Sequence, residues 1–510
     1  MTYSIDNKPS TKTSIALLAT IFGIYMLLSP AHFLTSPDEE LNLRTTLSLL
    51  QGHYGAIPSL EGFASKTGQN GQEYAQYGLG LPIASLPWCA LGLMIDQSEN
   101  HDQLNQMAFF FDKTTDPVGT AFLRAWMTIF SMLISALTII LFYRIISQLG
   151  LSETNAIFAS LLLAFCTYLW PHGRTFFTEP LVAFCLMAAL VCLINAEHNS
   201  KYLWTLCAGF FWAYAVLTRL DSLITAPAAA WLLLIQRNQK FTINIDIKKI
   251  TLFAIPWIGV ISIILLYNSH RFGAPFSTGY EDQPENIQFL TPILVGLQGF
   301  LFTPGRSIFV YSPPLILALF GIMRFWNKDN WLAGGVFLII VGYLGVMSKW
   351  QNWAGGFDWG PRHIYQITPF LMIPAALWIG KRPLFDSTPK RIGWFALIAI
   401  SFFIQFIGLS ADPVMIIKMF LYRTLRPFPE NFHAHLTMYM QQLPVYLPQF
   451  SNISLHWQWV ASYGADLMII KTLSDNIKNI YLFLIPFGIA FSGGYSIKRI
   501  IAIDPKTNVN

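Results

Sequence analysis

Charge is what this sequence has least of. Asp, Glu, Lys and Arg together make 12% of the 510 residues, about half of the ~25% usual in soluble chains. Hydrophobic residues make 54% and aromatic residues 15%. A chain so composed cannot clothe its surface in charge, which points away from a soluble enzyme and toward a polytopic membrane protein. No block of lysine or arginine occurs, and the net charge of +5 is spread over many short segments. Nucleic acid is therefore not an expected partner. Cysteine is scarce as well. The five, Cys89, Cys166, Cys185, Cys192 and Cys207, fall in or near apolar runs and lack metal-ligand spacing, which argues against a disulfide framework. Low-complexity segments and short repeats are absent, and no inverted repeat is visible, which counts against a secondary transporter. No small-x-small cleavage site stands between the first apolar run and the acids after it. Residues 14–34 are expected to be an uncleaved first helix.

What is present is a series of apolar runs. Hydropathy predicts roughly twelve spans, near 14–34, 119–143, 154–171, 175–195, 202–218, 222–236, 250–268, 304–322, 331–348, 364–380, 393–410 and 477–494. Arg219 and Asp221 break the stretch 202–236 into a tight hairpin. The segment 78–95 carries Pro82, Pro87 and several glycines, and is expected to lie in the interface rather than span. Roughly 17 of the 32 Lys and Arg fall in about 80 residues of one set of loops, so the positive-inside rule sets both termini in the cytoplasm. Three long loops, 35–118, 269–303 and 411–476, and a short one at 349–363 then face outward. Such loops carry function more often than the spans do.

Every notable polar cluster lies on that outer half. "SPDEELNLR" sets Asp38, Glu39 and Glu40 directly after the first run. "HGRTFFTEP" holds Arg174 and Glu179, and "LTRLDS" holds Arg219 and Asp221. "YNSHRFGAPFSTGY" holds His270, Arg271 and Tyr280, and "KWQNWAGGFDWGPRH" holds Lys349, Trp353, Arg362 and His363. Ionisable groups at membrane depth are costly and tend to be functional, and their shared side predicts one polar cavity roofed by the outer loops. Structural roles compete with this. The acids suit a helix start, with Ser36 as N-cap, Pro37 at N1 and acids in the first turn. Arg219 and Asp221 suit a structural pair, and Glu179 suits a partner for Arg174. The tryptophans of "WAGGFDWGPR" suit an interfacial aromatic belt.

The order of these motifs resembles the GT-C superfamily of membrane glycosyltransferases, in the bacterial branch near protein O-mannosyltransferases and aminoarabinose transferases. "SPDEELNLRTTLSLLQGHYGAIP" resembles the Asp-Glu after the first span, its juxtamembrane helix and a "GxY" turn. "QEYAQYGLGLPIASLPW" resembles the second juxtamembrane helix, and "AFLRAW" the arginine opening the second span. "LLYNSHRFGAPFSTGY" and "WAGGFDWGPRHIYQITPFLMIPAAL" resemble later segments. The likeness covers roughly residues 14–380; region 411–476 and the last span match nothing. It implies an all-α polytopic fold of about twelve transmembrane helices with outer juxtamembrane helices. A catalytic unit over 1–410 would be followed by an outer loop and final helix over 411–510.

The activity implied is transfer of a sugar from a polyprenyl-phosphate donor to a glycan, lipid or protein acceptor hydroxyl, on the periplasmic side of the inner membrane. A lipid donor enters sideways from the bilayer, so the site belongs at the interface. The incoming hydroxyl needs a base, and Asp38 is placed for that, with Glu39 orienting the acceptor or a cation. A direct displacement would invert the anomeric centre. The leaving phosphate needs cations; Arg362 is the first candidate, with Arg271, His363 and Lys349 after it. Tyr77, Arg174 and Glu179 complete the expected substrate-binding set. Glu40 is expected to tolerate change. Some relatives carry an acid before a Lys-Pro-Pro stretch, where this chain has Gln76 and Tyr77. That disfavours a divalent metal without excluding it, and no other cofactor is expected. Two competing functions remain: a transporter or flippase of a lipid-linked or small polar substrate, and a polymerase or ligase of lipid-linked glycans.

Overall fold

The computed structural model describes residues 9–30, 34, 36–58, 65–96, 118–199, 202–237, 242–281, 289–380, 387–425, 443–470 and 483–503. Five helices among them are long and apolar enough to cross a membrane. They are α4 (Ala121–Gln148), α7 (Glu179–Asn199), α10 (Ile247–Phe272) and the helices Asn330–Lys349 and Thr388–Leu409. Shorter apolar helices include α1 (Thr11–Leu27), α3 (Gly80–Ile95), α5 (Glu153–Phe165) and α8 (Tyr202–Thr218). The expected count of about twelve spans is not confirmed among the described residues, where the other apolar helices are shorter. The 304–322 stretch breaks at Pro313 and Pro314 into a helical turn, a 3-10 turn and the helix Leu317–Lys328. Proline supplies no amide hydrogen and clashes with the preceding turn. The expected span 477–494 lies partly outside the described residues, as do parts of the loops 35–118, 269–303 and 411–476.

The fold is mostly helical but not all-α. Strands β1 (Ala56–Ile57), β2 (Ser65–Thr67) and β3 (Glu73–Ala75) form an antiparallel sheet in the order β1-β3-β2. Tyr74 stands opposite both Ala56 and Lys66. The sheet caps the end of α10. Gln69 donates its backbone N–H to the Arg271 carbonyl (2.9 Å) and its side-chain amide to those of Ser269 and His270 (3.1 and 3.2 Å), satisfying carbonyls that a helix end leaves free. A Cβ on Gly68 would stand 2.4 Å from the Arg271 carbonyl oxygen, so only glycine allows this approach.

The remaining packing fixes the same end of the bundle. The helix α2 (Pro37–Leu50) follows the first apolar run, with Pro37 in its first turn and the Ser36 N–H donated to Glu39 Oε2 (2.9 Å). Its Glu40 is buried between Arg44 (2.8 Å) and Arg124 of α4 (2.6 Å). The expected tolerance of Glu40 is therefore corrected, since it neutralises two buried guanidinium groups. Helix α3 is stitched to α4 by Trp88 and Trp126, which stack at 4.6 Å and exchange indole N–H to carbonyl bonds of 2.8 Å. Helix α8 stops before Arg219, whose extended backbone precedes a 3-10 turn, Leu220–Thr225. The helix Leu484–Ile503 lies along α1, where Gly23 meets the Ala490 backbone.

Candidate active site

Arg362 is the hub of a buried ionic network. It opens the 3-10 turn Arg362–Ile367. Nη2 meets Asp38 Oδ2 at 2.5 Å, Nε meets Glu179 Oε1 at 2.7 Å and Nη1 meets Asp358 Oδ2 at 3.1 Å. The guanidinium also lies 3.7 Å from the centre of the Phe177 ring. Glu179 is shared with Arg219 (2.7 Å), and Arg219 forks onto Asp221 through Nε and Nη2. Asp38 receives a second donor, the Tyr77 hydroxyl, at 2.5 Å. Each Asp38 oxygen is thus held by one donor, which leaves further lone pairs on both. Burial opposes charge on Asp358, but the Arg362 guanidinium prevails and holds its carboxyl below the usual range. Burial and the neighbouring Arg362 and Arg219 charges push His363 down to about 3, so it is neutral near pH 7.

A second cluster adjoins the first. Glu39 accepts the Phe176 N–H at 2.8 Å as well as that of Ser36, and Asn42 donates to the Phe176 carbonyl. Burial raises Glu39 to about 7, against the two amide donors and Arg174. Burial works against the charge on Arg174, and the charges of Glu39, Asp412 and Asp466 support it. The last two come from the region that matched no motif.

The glycine-rich loop is held from behind by residues sequence reasoning passed over. Arg306 is wholly buried and donates to the carbonyls of Ala354, Gly356 and Asp358 and to that of Gly305. Asn452, at the start of the helix Asn452–Tyr463, donates to the carbonyls of Phe357 (3.0 Å) and Asp358 (2.6 Å). His172 Nε2 meets the Trp359 carbonyl at 2.7 Å, and His456 packs on the Trp359 ring at 4.8 Å. Nothing local in "TPGRS" or "FSNIS" marks Arg306 or Asn452; their partners are backbone carbonyls far along the chain.

Beside the network lies a cavity of about 230 Å³. Apolar walls come from Leu79, Leu217, Ile264 and Phe289, and aromatic walls from Tyr77, Tyr267, Tyr280 and Trp350. Arg219, Asp221 and Arg271 reach it. Tyr280 is raised above the ordinary phenol range by burial and, against Arg219, by the charges of Asp38 and Asp221. Arg271 is buried in the last turn of α10. Nη1 donates to the Ala75 carbonyl (2.5 Å) and Nη2 to Asn268 Oδ1 (2.7 Å). Among the described residues Nε has no hydrogen-bond partner.

The structure therefore brings Asp38, Tyr77, Glu179 and Arg362 into direct contact, with Glu39 and Arg174 in the adjoining cluster and Arg271 on the cavity wall. His363 is buried against Trp350, at 4.5 Å between rings, and Lys349 is exposed at the end of its helix. No group of three or more His, Cys, Asp or Glu among the described residues is arranged to hold a metal ion.

Comparison with known proteins agrees with this architecture. The profile of the dolichyl-phosphate-mannose-protein mannosyltransferase family matches residues 122–267, from α4 to most of α10. The chain is similar in structure to ArnT from Cupriavidus metallidurans, solved bound to undecaprenyl phosphate. The identity is 11%, 95% of this chain and 77% of that one are covered, and the TM-score is 0.50. It is also similar to the oligosaccharyltransferase of Archaeoglobus fulgidus in its apo form, at 12% identity, 88% and 63% coverage and TM-score 0.52. The form tethered with an acceptor peptide containing the NVT sequon gives 11%, 88%, 62% and 0.51. The chain spans less than two thirds of that archaeal enzyme. No curated protein matches in sequence. The chain has the fold of the GT-C superfamily of membrane glycosyltransferases.

Proposed function

We propose that this protein transfers a sugar from a polyprenyl-phosphate-linked donor to an acceptor hydroxyl, on the outer face of the membrane, with inversion at the anomeric carbon. The observation that carries this is the pairing of a fixed carboxylate with an adjacent cavity. Asp38 is held by Tyr77 and Arg362 beside a pocket whose wall presents Arg271, a guanidinium that makes no ion pair with a carboxylate among the described residues. The acceptor oxygen attacks the anomeric carbon, Asp38 takes the hydroxyl proton, and the bond to phosphate breaks to release polyprenyl phosphate. Holding the acceptor against a preset base supplies much of the rate through orientation.

The roles divide as follows. Asp38 is the base. Arg271 receives the leaving phosphate, as a charge-assisted donor in a shielded site. Arg362 has its three donor nitrogens on Asp38, Glu179 and Asp358, so in this account it positions the base rather than the phosphate. Glu179 holds Arg362 and Arg219 together, and Glu39 and Arg174 fix the start of α2. His363, being neutral, supplies no cation; Lys349 offers only long-range attraction at the rim.

The test is reconstitution in bilayer discs with polyprenyl-phosphate sugars. Time-dependent release of polyprenyl phosphate, with an inverted product, is expected. A protein that releases none but carries the lipid across vesicles would replace this reading with a flippase. A cysteine placed at the exposed Thr67 should react with an impermeant thiol reagent from outside the cell; labelling from the cytoplasm alone would reverse the assigned face.

A further inference from the structure

The cavity wall carries two buried polar atoms with no hydrogen-bond partner among the described residues: Arg271 Nε and Gln76 Oε1. Their residues adjoin. Arg271 Nη1 is hydrogen-bonded to the carbonyl of Ala75, the residue before Gln76, and a Cβ at Gly279 would come within 3.5 Å of the Gln76 Cβ, behind Phe272. One is a donor on a guanidinium whose single charge is shared by three nitrogens, the other a neutral acceptor. A buried polar atom left unmatched costs stability, and such atoms tend to be matched when a ligand is bound.

We infer that Arg271 and Gln76 form the headgroup site of the donor, taking a phosphate oxygen at Arg271 and a hydroxyl of an uncharged sugar at Gln76. This rests on the transfer reading above and names its substrate class. The rest of the wall fits a sugar ring: Tyr77, Tyr267, Tyr280 and Trp350 supply aromatic surface. The wall also discriminates against an amino sugar. An ammonium entering this cavity would need a free carboxylate, since desolvating an unpaired charge is costly. Asp221, the acid on the wall, is already forked by Arg219. Asp38 is not among the residues that line the cavity; its oxygen nearest the wall accepts from the Tyr77 hydroxyl. Arg271 adds a positive charge to the same wall. Gln76 can accept from a hydroxyl without contributing charge, and it is the specificity-determining residue.

Binding to the full chain in bilayer discs tests this without turnover. The probes are bare polyprenyl phosphate, the same lipid bearing a neutral hexose, the same lipid bearing an amino hexose, and free hexose 1-phosphate. The neutral-sugar lipid is expected to bind about tenfold or more tighter than the amino-sugar lipid. Gln76→Leu should weaken the neutral-sugar lipid about tenfold and leave bare polyprenyl phosphate unchanged. Gln76→Glu should reverse the preference between the two sugars, and Arg271→Gln should weaken every phosphate lipid. A wild-type preference for the amino sugar overturns the proposal. So does a Gln76→Leu protein that binds all lipids as before or loses bare phosphate equally. Free hexose 1-phosphate binding as tightly as the lipid-linked form would keep the site but assign it to a soluble donor. Absence of transfer with these preferences intact would refute the catalytic reading alone.

Discussion

Arg362 Nη2 and Asp38 Oδ2 lie 2.5 Å apart, joining the first turn of α2 to the loop that precedes the helix Thr368–Ile379. The same guanidinium neutralises Glu179 and Asp358. One cation therefore ties together three elements that meet only in the folded state, and it sets the direction from which Asp38 can receive a proton.

Arg362→Ala should accordingly destabilise the protein as well as inactivate it. It leaves three carboxylates in a shielded site, and breaking a buried pair costs about 3–5 kcal/mol. Arg362→Lys should recover part, because a point charge cannot meet three acids along fixed directions. Adding Glu179→Gln to Arg362→Ala should restore part of the stability and none of the activity. Thermal unfolding in detergent reads both. An Arg362→Ala protein as stable as the parent would show that these contacts carry no net weight.

Glu40→Gln is the contrasting case among the three consecutive acids. It leaves Arg44 and Arg124 half-paired in a buried setting, so a loss of about 3–5 kcal/mol is expected, with donor affinity unchanged in the fraction that folds. An unaltered melting temperature would contradict the buried three-group bridge.

Glu39 predicts a pH effect on stability. Its folded value of about 7 lies above the ~4.3 of a free glutamate, so the folded state keeps the proton longer than the unfolded one. Its contribution is fully present below about pH 4.3 and is lost as pH rises through about 7. The span is worth on the order of 3–4 kcal/mol. Glu39→Gln cannot titrate, so its stability profile should be flatter over that window. Parallel profiles for the two proteins would assign the titration elsewhere.

Asn452→Ala should free the carbonyls of Phe357 and Asp358. Two lost hydrogen bonds at a loop held mainly through its carbonyls should cost about 1–3 kcal/mol and speed amide exchange across 354–362. The rate of transfer should fall with little change in donor affinity, since Asn452 does not line the cavity. Unchanged exchange in that loop would show that the C-terminal region does not brace it.

Hydropathy made the helices legible, because apolar runs of sufficient length leave the backbone few other ways to satisfy itself in a membrane. The acids after the first run were visible for the same reason: a charge there stands out. Glu40 and Arg44 even show the spacing of a helical ion pair. What stayed hidden were the partners. No local pattern relates Arg362 to Asp38, or Arg306 and Asn452 to carbonyls of a glycine-rich loop, because those bonds depend on how helices cross. The sheet was hidden too. Its strands of two and three residues sit in a polar segment too short for alternation to register.

In the proposed reaction Asp38 accepts the proton of the acceptor hydroxyl, and Asp38→Asn removes that base. Asparagine keeps the size of the side chain, and its carbonyl oxygen can still accept one hydrogen bond, but it cannot serve as the base. Single-turnover transfer from a polyprenyl-phosphate sugar should fall by about 10²–10⁴, while donor binding stays within a few-fold of the parent. An Asp38→Asn protein that transfers at the parental rate would contradict the account.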